Sequence, residues 1–250
     1  MKMAGKYFKS DLTWLDKLMP QGISIPSSNL ISGPAGAGKP LVGAMFSDAW
    51  LKKGGTLIHL LINFKQDYAE NLLKHFSPGL TGYEERIVFI EFDPQMDSVE
   101  KTGENTIKAN LLKPEHFDAA LRIALRLLPQ TELGALMYGS ALNMLLFSAT
   151  YGQVMHQKIL QLLRSEQNSL FTISNNVTEE QTEEWENAAD NVFYTHGTGI
   201  MHLAFKIVKM KETSFSNEEV EVPLSEDELY SIRTEAEQAR MNLIPIIRRI

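Results

Sequence analysis

The 250-residue sequence contains no cysteine, which excludes a disulfide framework, a zinc–thiolate centre and a thiol nucleophile. Long apolar runs are absent too: none reaches the roughly 18–20 residues that a helix needs to cross a bilayer. The opening stretch, MKMAGKYFKSDLTWL, has no apolar core of secretory-leader length. A cytoplasmic protein without membrane contact is therefore expected. Basic residues are the smaller charged class, 24 against 31 acidic, for a net charge of −7. That balance disfavours a broad nucleic-acid surface while leaving room for a local basic patch. The six histidines, His59, His75, His116, His156, His196 and His202, show no H-x-x-x-H spacing, so no metal cluster is expected.

What is present is ordinary globular material, 44% hydrophobic and 22% charged, enough for one sizeable α/β domain or two small ones. Strand-like and helix-like segments alternate. NLIS (29–32) is a short apolar run, and 41–53 carries an apolar helical face through Leu41, Met45 and Ala49 before Gly54 and Gly55 stop it. Strands are expected at 56–63, 86–92, 133–138 and 169–174, with helices near 67–76, 114–128 and 153–164. Residues 93–113 are polar and irregular and read as a mobile loop. EEQTEEWE (179–186) reads as an acidic helical face, and 190–195 and 200–210 as two late strands, the second alternating like an antiparallel edge. Strands spaced by helices imply βαβ units, hence an α/β fold with a mostly parallel twisted sheet flanked by helices. The chain divides into a core over 1–222 and an extension over 223–250. In the extension Ser225 and Glu228 form a capping box, and Leu229, Ile232, Ala236, Ala239 and Leu243 make a thin apolar stripe. The end, NLIPIIRRI (242–250), is rich in large aliphatics. It either docks on its own domain or adds to another subunit as a strand or groove-filling segment.

The stretch GPAGAGKP (33–40) follows the first strand and opens a helix, the context in which G-x-x-x-x-G-K cradles phosphate. Gly33, Pro34, Ala35, Gly36, Ala37, Gly38 and Lys39 meet the pattern, and Pro40 replaces the hydroxyl residue that should follow. Proline supplies no magnesium ligand and no backbone N–H, and it biases Lys39 away from helical φ/ψ. The cradle is thus expected to be present but impaired.

The segment LDKLMPQGISIPSSNLISGPAGAGK (15–39) resembles the opening of KaiC-like and RecA-like ATPases, and 189–195 and the strand ending in KMKETSF (209–215) look like that family's late strands. The resemblance covers roughly 12–222. It implies a RecA-like P-loop core, nucleotide as ligand, and assembly with like subunits. Each departure falls on chemistry. Paired glutamates follow the second strand in the family; here Phe64 and Lys65 stand in that place. The Walker B strand ends in Asp-Ser, but here in Gly139 and Ser140. Lys209 and Lys211 occupy the positions of a Lys-x-Arg pair that reaches a neighbour's phosphates, and Phe215 stands where histidine is common. Lysine is a weaker phosphate clamp than arginine. Asp67, Glu70 and Asp93 are the carboxylates nearest the strand ends, and a solvated helix start is the simpler role for the first two. Ser140 lies in GSAL, not in G-x-S-x-G, so a serine hydrolase is unsupported.

Two functions fit. One is a degenerate KaiC/RecA-like pseudo-ATPase, a regulatory or assembly subunit that binds ATP or ADP weakly if at all and lacks a magnesium site. Its partner would be a second copy or a related KaiC/RecA-like subunit. The other is an atypical active recombinase paralogue acting at DNA, with Lys206, Lys209 and Lys211 as its basic strand.

Overall fold

The computed structural model describes residues 6–76, 83–175, 179–198 and 202–250. The chain begins with β1 (Lys6–Phe8), one helical turn, α1 (Thr13–Asp16), and β2 (Ile23–Ile25), which returns antiparallel to β1. β3 (Ser28–Ser32) then runs into the glycine loop, and α2 (Lys39–Lys52) leaves it. Next come β4 (Thr56–Leu61), α3 (Gln66–Phe76), β5 (Ile87–Phe92), β6 (Glu100–Lys101) and β7 (Thr106–Ala109). α4 (Pro114–Leu127) and β8 (Ala135–Gly139) lead to a 3₁₀ segment at Leu142–Phe147, followed by α5 (Gly152–Leu163) and β9 (Asn168–Thr172). α6 (Glu179–Ala188), β10 (Asn191–Thr198), β11 (His202–Lys209), β12 (Val220–Glu221) and the long α7 (Glu226–Ile247) complete the chain.

The main sheet has ten strands in the order β12-β11-β10-β3-β9-β8-β4-β5-β7-β6. From β10 to β7 every neighbouring pair is parallel. β11 and β12 add antiparallel at one edge and β6 at the other. Parallel strands must be covered on both faces, and alternation along each strand feeds two cores. Ile31, Leu57 and Leu61 face the core under α1, α2 and α3, while Leu30, Ile58 and Leu60 face the one under α4, α5 and α6.

Two expectations need correction. The segment 93–113 holds β6 and β7 and is not wholly irregular: Thr106–Ala109 pairs with β5, with Ile107 and Ala109 fully buried. Backbone pairing to β5 ordered a segment too short and polar to announce itself by periodicity. Lys39, expected to lean away from helical geometry before a proline, is the first residue of α2. Pro40 sits in the first turn, where its missing N–H has no intrahelical partner to lose.

α7 begins as its residues dictate: the Ser225 side chain accepts from the Glu228 amide, and the Glu228 carboxylate accepts in return from the Ser225 amide. The apolar stripe is then the docking face. Leu229 and Ile232 are buried in the core beneath α2, and Ile247 in the core beneath α5. α7 thus crosses the C-terminal edge of the sheet from one core to the other. Residues 242–247 continue this helix, and the aliphatic end docks on its own domain, with Leu243, Ile244 and Ile250 partly buried. Among the described residues no helix is long and apolar enough to cross a membrane.

Candidate functional site: the glycine loop and its cover

The loop lies where an open parallel sheet collects ligands, beyond the C-terminal ends of its strands. It is anchored at both ends by close backbone approaches. At Gly33 an added Cβ would stand 2.0 Å from the Thr195 carbonyl oxygen of β10. Gly38 caps α2 in the left-handed region, φ +65°, and a Cβ there would meet a Leu229 methyl of α7 at 2.9 Å.

Lys39 is 5% exposed. Its Nζ donates to the carbonyls of Gly33 (3.0 Å) and Pro34 (2.6 Å). Burial lowers its pKa to about 7, because a desolvated ammonium without a carboxylate partner is costly. The loop's own carbonyls are thus the lysine's ligands.

Pro40 contributes a carbonyl instead of a hydroxyl. The Tyr138 hydroxyl of β8 donates to that oxygen at 3.1 Å, and the ring lies so close that a Cβ on Gly43 would be 2.5 Å from it. Tyr138 is fully buried and burial raises its phenol pKa, so it is a neutral donor locking strand to helix. Tyr138→Phe should cost about 1 kcal/mol, the typical worth of one such bond with the ring retained; urea unfolding of the two proteins gives the difference directly.

At the end of β8, Gly139 is closely packed, and a side chain there would require Leu142 to move. A Cβ there would stand 2.6 Å from a Leu142 methyl and 3.3 Å from Leu60 Cβ. Ser140 is buried and donates to Asn63 Oδ1 at 2.5 Å. The residues after β4 behave likewise: Phe64 stacks on Tyr68 at 5.1 Å, and Lys65 is exposed. Asp67 and Asp93 line a separate cavity of about 770 Å³ together with Glu235 of α7. Glu70 accepts from Gln66 Nε2 at 2.7 Å.

Lys209 and Lys211 are engaged within the chain. Lys209 Nζ donates to the carbonyls of Glu186 (3.3 Å), Asn187 (2.8 Å) and Ala189 (2.6 Å), closing the C-terminal end of α6 where a cation suits the helix dipole. Lys211 pairs with Asp190 at 3.1 Å. Phe215 packs, partly buried, against the core under α2. Lys206 lies over the Tyr194 ring, 5.4 Å from its centroid.

What lies over the loop is not announced by any local motif. Ile232, Arg233 and Ala236 of α7 roof it, leaving a cavity of about 70 Å³ between them and Gly36, Ala37, Gly38, Lys39 and Pro40. Arg233 Nε donates to the Gly36 carbonyl at 2.8 Å. Flanking contacts hold the helix: Glu228 with His75 of α3 at 2.5 Å, Ser231 hydrogen-bonded to Tyr68, and Arg248 over the Phe147 ring at 5.5 Å. The pairing of Arg233 with Gly36 spans nearly the whole chain, so no local pattern could have announced it.

Neither a protein-family model nor a curated protein matches the sequence. Among solved structures, a KaiC-like protein from the hyperthermophilic archaeon Pyrococcus horikoshii OT3 is similar in fold, with a TM-score of 0.63 at 14% identity. The match covers 90% of this chain and 97% of that one. At that identity the likeness establishes architecture alone: the chain has a KaiC-like, RecA-type α/β fold.

Proposed function

We propose that this chain is a degenerate KaiC-like P-loop protein, a pseudo-ATPase that serves as a regulatory or assembly subunit beside a second copy or a related KaiC/RecA-like subunit. It binds ATP or ADP weakly if at all and does not use magnesium. The observation that carries this reading is the end of β8, where a Leu142 methyl fills the side-chain position of Gly139. A carboxylate at that point of a P-loop fold would hold the metal through water. Here its space has been given to packing. Pro40 lacks the hydroxyl that would also hold such a metal, and Phe64 and Lys65 offer no base for an attacking water. Between them the losses remove two requirements of phosphoryl transfer, metal placement (Gly139 and Pro40) and water orientation (Phe64 and Lys65). The loss of two or three charge-assisted contacts, each worth about 1.5–3 kcal/mol, would weaken nucleotide binding by several powers of ten.

Calorimetric titration with ATP, with and without magnesium, beside a phosphate-release assay, tests the reading. The expected outcome is no turnover and no magnesium-dependent gain in affinity. Magnesium-dependent turnover that Lys39→Ala abolishes would defeat it and favour the active-recombinase alternative.

A further inference from the structure

We propose that α7 is the internal occupant of the phosphate crevice: the chain shuts its own glycine loop with its C-terminal helix, and nucleotide-sized anions reach the loop only when α7 lifts. This deepens the reading above, since it rests on Gly33–Lys39 being a phosphate cradle. It assigns the exclusion of ligand to a second device, independent of Pro40.

Three observations carry it. First, the roof narrows the space directly over Gly36–Pro40. Ile232, Arg233 and Ala236 leave about 70 Å³ there, too little for a triphosphate chain over Lys39 with α7 in place, while a wider opening of about 470 Å³ beside it is lined by Ala35, Gly36, Arg233, Ala236 and Arg240. Second, the contact is specific to the loop. Leu229 meets Gly38 and Arg233 Nε donates to the Gly36 carbonyl, so two of the loop's three glycines face α7 residues. A helix docked only to bury Leu229 and Ile232 would not need its arginine on a loop carbonyl. Third, the cover is fully buried only near its two ends. Leu229 and Ile232 enter one core and Ile247 the other, while most residues between 233 and 246 are exposed or half-buried. Such a segment opens at lower cost than the sheet beneath it. With the crevice closed in most molecules, measured affinity falls by the fraction open.

The test uses the full chain and its freedom from cysteine. Ala37 is 2% exposed and lines the narrow cavity under α7, so Ala37→Cys places one thiol beneath the cover. That thiol should react with a maleimide at least tenfold faster when Ile232→Asp and Arg233→Ala are added. Binding is then measured with pyrophosphate, without metal, in four proteins: the parent, Pro40→Thr, the Ile232→Asp/Arg233→Ala pair, and all three together. The triple variant should bind at least tenfold more tightly than Pro40→Thr alone. Equal affinity in those two overturns the internal-occupant proposal while leaving the impaired-cradle reading standing. An exposed thiol with no binding in any of the four shows that the loop is no phosphate cradle, which defeats both. Should the Ile232→Asp protein not fold, Arg233→Ala alone is the substitute. It must raise thiol reactivity at least twofold, and an unchanged rate counts against the cover.

Discussion

Gly139→Asp, which restores the carboxylate expected of a working P-loop strand, should cost roughly 3 kcal/mol of stability and return no ATP turnover. The cost has two parts. The new Cβ would stand 2.6 Å from a Leu142 methyl that is itself fully buried, and forcing extra atoms into a packed core typically costs 1–3 kcal/mol. The carboxylate would then sit at a buried position, where an unpaired charge is costly until it finds donors. Ser140 and Asn63 lie alongside, but their polar groups already bond one another. Turnover stays absent because Pro40 still supplies no metal ligand and Lys39 remains bound to loop carbonyls. Urea unfolding reads the stability and phosphate release the activity. A variant as stable as the parent that gains magnesium-dependent ATP binding would show that the site lacks only one group, contrary to the packing.

The part of this site that could be read from sequence is the part built from neighbours in the chain. β3, the glycines and α2 are contiguous, so strand, loop and apolar helix can be recognised together, and Pro40 is visible as a departure without any structure. The capping box of Ser225 and Glu228 is local in the same way, and it starts α7 where the residues say it should. The substitutions at Phe64, Lys65 and Gly139 could be named but not explained. Only packing reveals that Leu142 occupies the space at Gly139. Lys209 and Lys211 illustrate the limit most sharply. The family resemblance implies a reach toward a neighbour's phosphates; within the single chain the end of α6 and Asp190 hold them. A free lysine and a helix-capping lysine are the same letter. The apolar stripe of α7 announced that the helix docks, but a stripe does not say on what. Its partner surface, assembled from the loop, α2, α3 and the 3₁₀ segment, exists only after the sheet has formed.

Lys39 carries the other large expected effect, a pH dependence of stability that its removal should erase. Its folded pKa is lowered by burial to about 7 from 10.5. Below pH 7 both folded and unfolded chains hold the proton, so the group contributes no slope there. Between pH 7 and 10.5 the unfolded chain keeps a proton that the folded chain has released, and stability must rise with pH. One proton corresponds to at most about 1.4 kcal/mol per pH unit. Lys39→Met keeps the length of the stem and removes the titration. The difference in unfolding free energy between parent and variant, measured in urea at intervals from pH 7 to 10, should therefore shift steadily in the parent's favour as pH rises. A difference that stays constant across that window would mean that the ammonium is solvated in the folded chain. The same argument bears on ligand binding. A lysine that is partly neutral near pH 7 is a weak partner for phosphate, and an anion entering the loop would draw a proton onto Nζ. Any pyrophosphate binding by Pro40→Thr, in which the free chain keeps α7 in place, should then be accompanied by proton uptake at pH 8, readable as a dependence of the binding heat on the ionisation enthalpy of the buffer. Binding heats identical across buffers would place the anion away from Lys39.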